Sequence, residues 1–173
     1  MEFDPLLLSR IQFAFVVSFH AIFPVFTIGL ASYIALLEGL HFKTGNPAWA
    51  QLSRFWTKVF AVAFGMGVVS GIVMSFQFGT NWSNFSWAGS NVLGPMLSYE
   101  VVTAFFLEAA FLGVLLFGRG KVPQGVHLFA SLMVALGTFI SVFWFISSNV
   151  LIQTLAGVDL ITGSLYVMSW SSV

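Results

Sequence analysis

Apolar residues along this chain gather into four long runs divided by short polar stretches. The first extends from about Ile11 to Leu37, with no charge until Glu38; the second from about Val59 to Phe78; the third from about Leu93 to Phe117; the fourth from about Val126 to Ile152. Each meets the requirement of roughly 20 apolar residues for a helix to cross a ~30 Å hydrocarbon core. None shows the sustained two-residue alternation of a membrane β-strand. The pattern therefore predicts an all-α integral membrane protein, a bundle of four transmembrane helices forming one domain over residues 1–173. The first run is too long for a signal peptide, follows Glu2 and Asp4 rather than a basic segment, and has no small-residue cleavage pattern.

Composition narrows the class. Of 173 residues, 58% are hydrophobic and 7% charged, whereas a soluble domain carries about 25% charged residues. Such a chain cannot furnish a polar surface, and it is far too apolar for intrinsic disorder. With no cysteine it offers no disulfide, zinc-thiolate site or iron–sulfur ligand. Six basic against six acidic residues leave no basic face for nucleic acid; the partner implied so far is the lipid bilayer. Twenty-one phenylalanines suit lipid and equally suit a pocket for a flat hydrophobic cofactor, and composition does not separate the two.

The basic residues predict an orientation. Lys43, Arg54 and Lys58 flank the first connection, and Arg119 and Lys121 lie in the third. The second connection, Gly79 to Val92, has none, and the amino end has Arg10. The positive-inside rule sets the first and third connections in the cytoplasm and the amino terminus outside, in the periplasm of a Gram-negative cell.

Ionisable groups inside an apolar span cost about 2.5–3.5 kcal/mol each on insertion scales, so they mark functional candidates. His20 lies ten positions after Arg10, about 15 Å along a helix and near mid-depth. Pro24 follows four residues later and removes the helical partner of the His20 carbonyl, so a kink or local opening is expected. An imidazole among Phe19, Phe23 and a broken backbone suits a haem iron; a histidine bonded to a neighbouring helix is the competing reading. Glu100 and Glu108 share the third span, about 12 Å apart along the axis and roughly 80° apart around it. Two carboxylates on one side suit a proton relay; protonated packing residues are the alternative. By depth, a route from the cytoplasm runs through Glu108 and Glu100 toward His20.

Other polar positions carry less. His41 falls in a connection, where it is solvated, and His127 begins the fourth span, at an interface where histidine costs little; neither receives a role. Gln77, Thr80 and Asn81 close the second span on the outer side, where they cap the helix or bond a cofactor propionate. Arg10 pairs with a propionate or snorkels to lipid phosphate. Trp82 and Trp87 suit an interfacial belt, and Gly67 and Gly71 have the G-x-x-x-G spacing of close helix packing.

Several stretches together resemble one family. They are Ser9-Arg10-Ile11-Gln12-Phe13-Ala14-Phe15, Ser18-Phe19-His20 through Phe23-Pro24, Ile28-Gly29-Leu30-Ala31-Ser32-Tyr33, Gly67-Val68-Val69-Ser70-Gly71, Phe76-Gln77-Phe78-Gly79-Thr80-Asn81-Trp82, Gly94-Pro95, Tyr99-Glu100-Val101 and Ala104-Phe105-Phe106-Leu107-Glu108-Ala109. In this order they resemble subunit I of the cytochrome bd-type quinol oxidases, with the cyanide-insensitive branch nearest. The resemblance covers essentially the whole chain. The chain departs from the family pattern at Asn149-Val150-Leu151-Ile152-Gln153-Thr154-Leu155, which lacks the usual Trp and Pro, and at Gly118-Arg119-Gly120-Lys121, which lacks a Trp.

The resemblance implies a quinol:oxygen oxidoreductase of the bacterial cytoplasmic (inner) membrane that reduces oxygen to water and takes its protons from the cytoplasm. It implies a low-spin haem b, a high-spin haem b, and a haem d or second high-spin haem b in the full subunit. His20 matches an axial ligand of a high-spin haem iron. Glu100 and Glu108 match the glutamates of the proton pathway and haem environment, and Arg10, Gln77, Asn81 and Trp82 fall in haem surroundings. The implied partners are subunit II and a small single-span subunit, with quinol and O2 as substrates. The resemblance also leads one to expect the amino-terminal portion of a roughly nine-span subunit, inactive alone. The competing function is a haem-free proton-conducting or structural membrane subunit.

Overall fold

The computed structural model describes residues 4–154, 158–161 and 164–167. Helix α1 spans Pro5–Thr44 and α2 spans Pro47–Gly79. Each opens the same way: proline at the first helical position, where its missing N–H costs nothing, behind an Asx cap. Asp4 Oδ1 accepts from the Leu6 N–H and Asn46 Oδ1 from the Ala48 N–H, both at 3.0 Å. Helix α1 stops at Gly45, whose φ of 67° lets its N–H donate back to the His41 carbonyl; glycine adopts that backbone without strain. Only Gly45 and Asn46 separate the two helices, so α1 and α2 form a tight antiparallel hairpin.

The third span is one rod in three parts: α3 over Ser83–Glu100, a π-helical turn over Val101–Phe105, and α4 over Phe106–Phe117. Helix α5 covers Gln124–Thr154. A short antiparallel hairpin follows, β1 over Val158–Ile161 and β2 over Ser164–Val167, with Val158 opposite Val167. Strand β2 packs on α3, where Leu165 joins Val92, Met96 and Leu151.

All four spans are long and apolar enough to cross a membrane, as the hydropathy pattern predicts. The helices nevertheless run well past the apolar windows. At 40 residues, α1 is about 60 Å long, twice the ~30 Å hydrocarbon core. Lys43, Arg54 and Lys58 are thus helical rather than in a loop. The second connection is shorter than Gly79 to Val92, because α3 begins at Ser83 and only Thr80, Asn81 and Trp82 make the turn. Hydropathy marks what lipid will hold; helical hydrogen bonding continues wherever polar residues keep their backbone partners. Helix α1 also passes through Pro24 without interruption, the Thr27 hydroxyl donating to the Pro24 carbonyl at 3.1 Å. The break from α-helical bonding falls instead in the third rod, where the Phe106 N–H donates to the Val101 carbonyl five residues back.

Polarity is distributed as lipid solvent demands. Large apolar side chains lie on the outside, Phe76 and Val25 being more than 70% exposed. The interior combines an apolar core drawn from every span (Leu30 and Ile34 of α1, Phe60 of α2, Leu112 and Leu115 of α4, Ala130 and Val134 of α5) with buried Glu38, Ser53, Thr57, Ser70, Glu108, His127, Ser131 and Thr138. A bilayer offers those groups no partner, so they face the bundle.

Candidate functional site

His20 sits on the face of α1 that meets α2. Its Nδ1 lies 2.8 Å from Ser70 Oγ. The neighbouring glycines allow this approach: a Cβ at Gly71 would stand 3.2 Å from His20 Cε1, and one at Gly67 would stand 3.4 Å from Phe23 Cβ. The G-x-x-x-G spacing thus becomes a groove that receives His20 and Phe23, one helical turn apart. Nε2 makes no hydrogen bond among the described residues. Phe19 packs edge-on to Phe23 at 5.2 Å.

Glu100 and Glu108 both face α5. The Ser141 hydroxyl donates to Glu100 Oε1 at 2.7 Å. Glu108 is buried against Gly137, where an added Cβ would stand 2.5 Å from its Cγ. Gly137 and Ser141 are one turn apart on α5. Ideal α-helix would leave the two carboxylates roughly 80° apart. The π turn between them winds fewer degrees per residue, which withdraws part of that offset and brings both onto the α5 interface. On α2, Phe64 stacks on Phe105 of the π turn with centroids 5.9 Å apart and planes 10° from parallel. No hydrogen bond among the described residues joins His20 to either glutamate; the two groups are held by different helix pairs.

At the Arg10 end of the bundle a third group forms. Asn81 Nδ2 donates to Gln12 Oε1 at 2.8 Å and to Gln77 Oε1 at 2.7 Å. Beside it the Trp82 ring packs edge-on against Phe13 and Phe78, and its buried Nε1–H has no partner. Sequence reasoning singled out Gln77, Asn81 and Trp82 but not Gln12, which joins α1 to the group. Arg10 is exposed on the first turns of α1.

A fourth group, at the opposite end, was not anticipated. Glu38, at the end of the first apolar run, is 1% exposed and accepts from both Ser53 and Arg119. His127 places Nδ1 3.1 Å from Glu38 Oε2 and Nε2 3.2 Å from the Leu115 carbonyl. It is buried between helices, as the fourth residue of α5. His41 lies in the last turn of α1 rather than in a loop, its Nδ1 3.1 Å from the Asn46 carbonyl. Glu38 ending an uncharged run, with Arg119 in a connection, was the available signal; their distance in sequence concealed the pairing.

Comparison with known proteins bears on these groups. The profile of the family described as cytochrome bd terminal oxidase subunit I matches residues 8–173. The chain is 37% identical over 158 residues to the cytochrome bd ubiquinol oxidase subunit 1 of Bacillus subtilis, covering 91% of this chain and 34% of that one. It is 38% identical over 146 residues to the cytochrome bd-II ubiquinol oxidase subunit 1 of Escherichia coli, covering 84% and 28%. The fold superposes on the bd oxidase structure from Geobacillus thermodenitrificans with a TM-score of 0.87 at 30% identity, covering 96% of this chain and 38% of that one. The chain spans about a third of the length of these relatives. Its four apolar helices and bacterial relatives make it a multi-pass protein of the bacterial inner membrane. With the matched profile running from Leu8 to Val173 through the His20 groove and the two-glutamate rod, the chain belongs to the cytochrome bd terminal oxidase subunit I family.

Proposed function

We propose that this chain supplies the amino-terminal, haem-bearing part of a quinol oxidase that reduces O2 to water with electrons from quinol. The observation that carries the reading is His20, whose Nδ1 faces Ser70 while Nε2 makes no hydrogen bond among the described residues. That arrangement fits an axial ligand. Among the described residues no group of three or more His, Cys, Asp or Glu could hold a metal ion; a haem asks the protein for a single axial imidazole, which His20 offers. When bound, a high-spin haem supplies the site for oxygen reduction. In the full subunit we assign it as a high-spin b or d haem, alongside a low-spin haem b.

The chain's own residues have three tasks. His20 would hold the iron. Glu108 and Glu100 take up and pass protons, with the Ser141 hydroxyl keeping the Glu100 carboxylate oriented. Gln77, Asn81 and Trp82, with Arg10 two residues before Gln12 on α1, provide polar surroundings for propionates; the partnerless Trp82 Nε1–H is a donor available for one. Protons enter from the cytoplasm in this reading. Its support is that the end of α1 with Lys43, the first turns of α2 with Arg54 and Lys58, and the α4–α5 connection with Lys121 lie together, tied by Arg119 to Glu38. Subunit II and a small single-span subunit are the assigned protein partners.

The test is a reduced-minus-oxidised visible spectrum of the solubilised native complex. His20→Ala should abolish the high-spin haem signal and oxygen consumption while leaving the low-spin haem bands. A His20→Ala complex with an unchanged spectrum would overturn the reading.

A further inference from the structure

We infer that Ser70 is the positioning residue of His20, setting both its tautomer and the direction of its free nitrogen; this rests on the reading of His20 as a haem ligand. The argument is one of hydrogen-bond arithmetic. Ser70 Oγ carries a single proton and has three neighbours: the Met66 carbonyl at 2.9 Å, the Gly67 carbonyl at 3.0 Å and His20 Nδ1 at 2.8 Å. The two carbonyls only accept, and an imidazole that ligates iron through Nε2 carries its proton on Nδ1, so with His20 as ligand the hydroxyl proton goes to its own helix. What Ser70 then turns toward His20 is a lone pair, and Nδ1 must donate to it. A neutral imidazole with its proton on Nδ1 has its lone pair on Nε2. The opposite tautomer would set two lone pairs 2.8 Å apart unless Ser70 abandoned both carbonyls.

The setting makes the contact decisive. Ser70 is buried, and the ring edge rests on Gly71, where a Cβ would stand 3.2 Å from Cε1. The imidazole is therefore held along its Nδ1–Cε1 edge, by a hydroxyl and by bare backbone. A hydrogen bond from the distal N–H of a ligating histidine fixes the ring and raises its basicity, and losing such a partner costs about 10–100-fold in metal affinity. Serine, a weaker acceptor than carboxylate, belongs at the lower end of that range.

The experiment is resonance Raman spectroscopy of the ferrous high-spin haem in the solubilised complex, reading the iron–histidine stretch, with haem loss to apomyoglobin as a second readout. Ser70→Ala should keep the helix contact, lower the stretching frequency and speed haem loss about tenfold. Ser70→Thr, which retains the hydroxyl, should restore both. An unchanged stretch and loss rate in Ser70→Ala would overturn the role of Ser70, as would a change that Ser70→Thr fails to reverse. Failure of the underlying reading is separately visible: if His20→Ala leaves the iron–histidine stretch in place, His20 is not the ligand.

Discussion

His127 Nδ1 stands 3.1 Å from Glu38 Oε2, joining the start of α5 to the end of α1 inside the bundle. Arg119, from the connection between α4 and α5, and Ser53, from α2, converge on the other carboxylate oxygen. One carboxylate thus ties together α1, α2, α5 and the α4–α5 connection. A buried charge of this kind is costly unless paired, and removing its partner exposes that cost.

Glu38→Ala should accordingly destabilise the protein by about 3–5 kcal/mol, because the Arg119 guanidinium loses its counter-charge and Ser53 its acceptor inside the bundle. The measurement is the unfolding midpoint of the detergent-solubilised protein. Adding Arg119→Ala to Glu38→Ala should recover part of the loss, and strict additivity of the two would show that the pair is not coupled.

Gly137→Ala should cost about 1–3 kcal/mol by overpacking and displace Glu108. The added Cβ would stand 2.5 Å from Glu108 Cγ and 3.3 Å from the Ala104 carbonyl. Oxygen consumption should fall while the haem spectrum stays unchanged; a variant with wild-type turnover would show that Glu108 tolerates displacement.

Glu100→Gln and Glu108→Gln should each lower proton-consuming turnover while retaining haem. At position 100 the amide oxygen still accepts from Ser141, so geometry survives and only the exchangeable proton is lost. Stopped-flow proton uptake on the solubilised complex reads this directly. Unimpaired uptake in both variants would remove the two glutamates from the pathway.

Asn81→Leu should loosen the Arg10 end of the α1–α2 pair by about 2 kcal/mol, since two side-chain hydrogen bonds disappear together. Amide exchange near Gln12 and Gln77 should quicken, with little change near Glu38 at the far end. Uniform loosening along both helices would contradict the local role.

The sequence by itself determined the membrane class, the four spans and the few polar positions worth attention. These follow from local facts: length, hydropathy and the cost of charge in hydrocarbon act on each segment separately. His20, Glu100, Glu108, Gln77, Asn81 and Trp82 were all legible for that reason, and so was the glycine spacing at 67 and 71. Tertiary structure decided their partners. That Ser70 meets His20, and that Gly137 and Ser141 receive the glutamates, depends on which faces of α2 and α5 turn inward, and one helix's sequence does not specify its neighbour's rotation. The π turn at Val101–Phe105, inside the third span, likewise brings both carboxylates to one interface at the expense of regular bonding. Glu38, Arg119 and His127 are scattered through the sequence and read singly as end-of-helix residues; only packing makes them one buried group, because a charge inside a bundle survives only where other helices bring its partners.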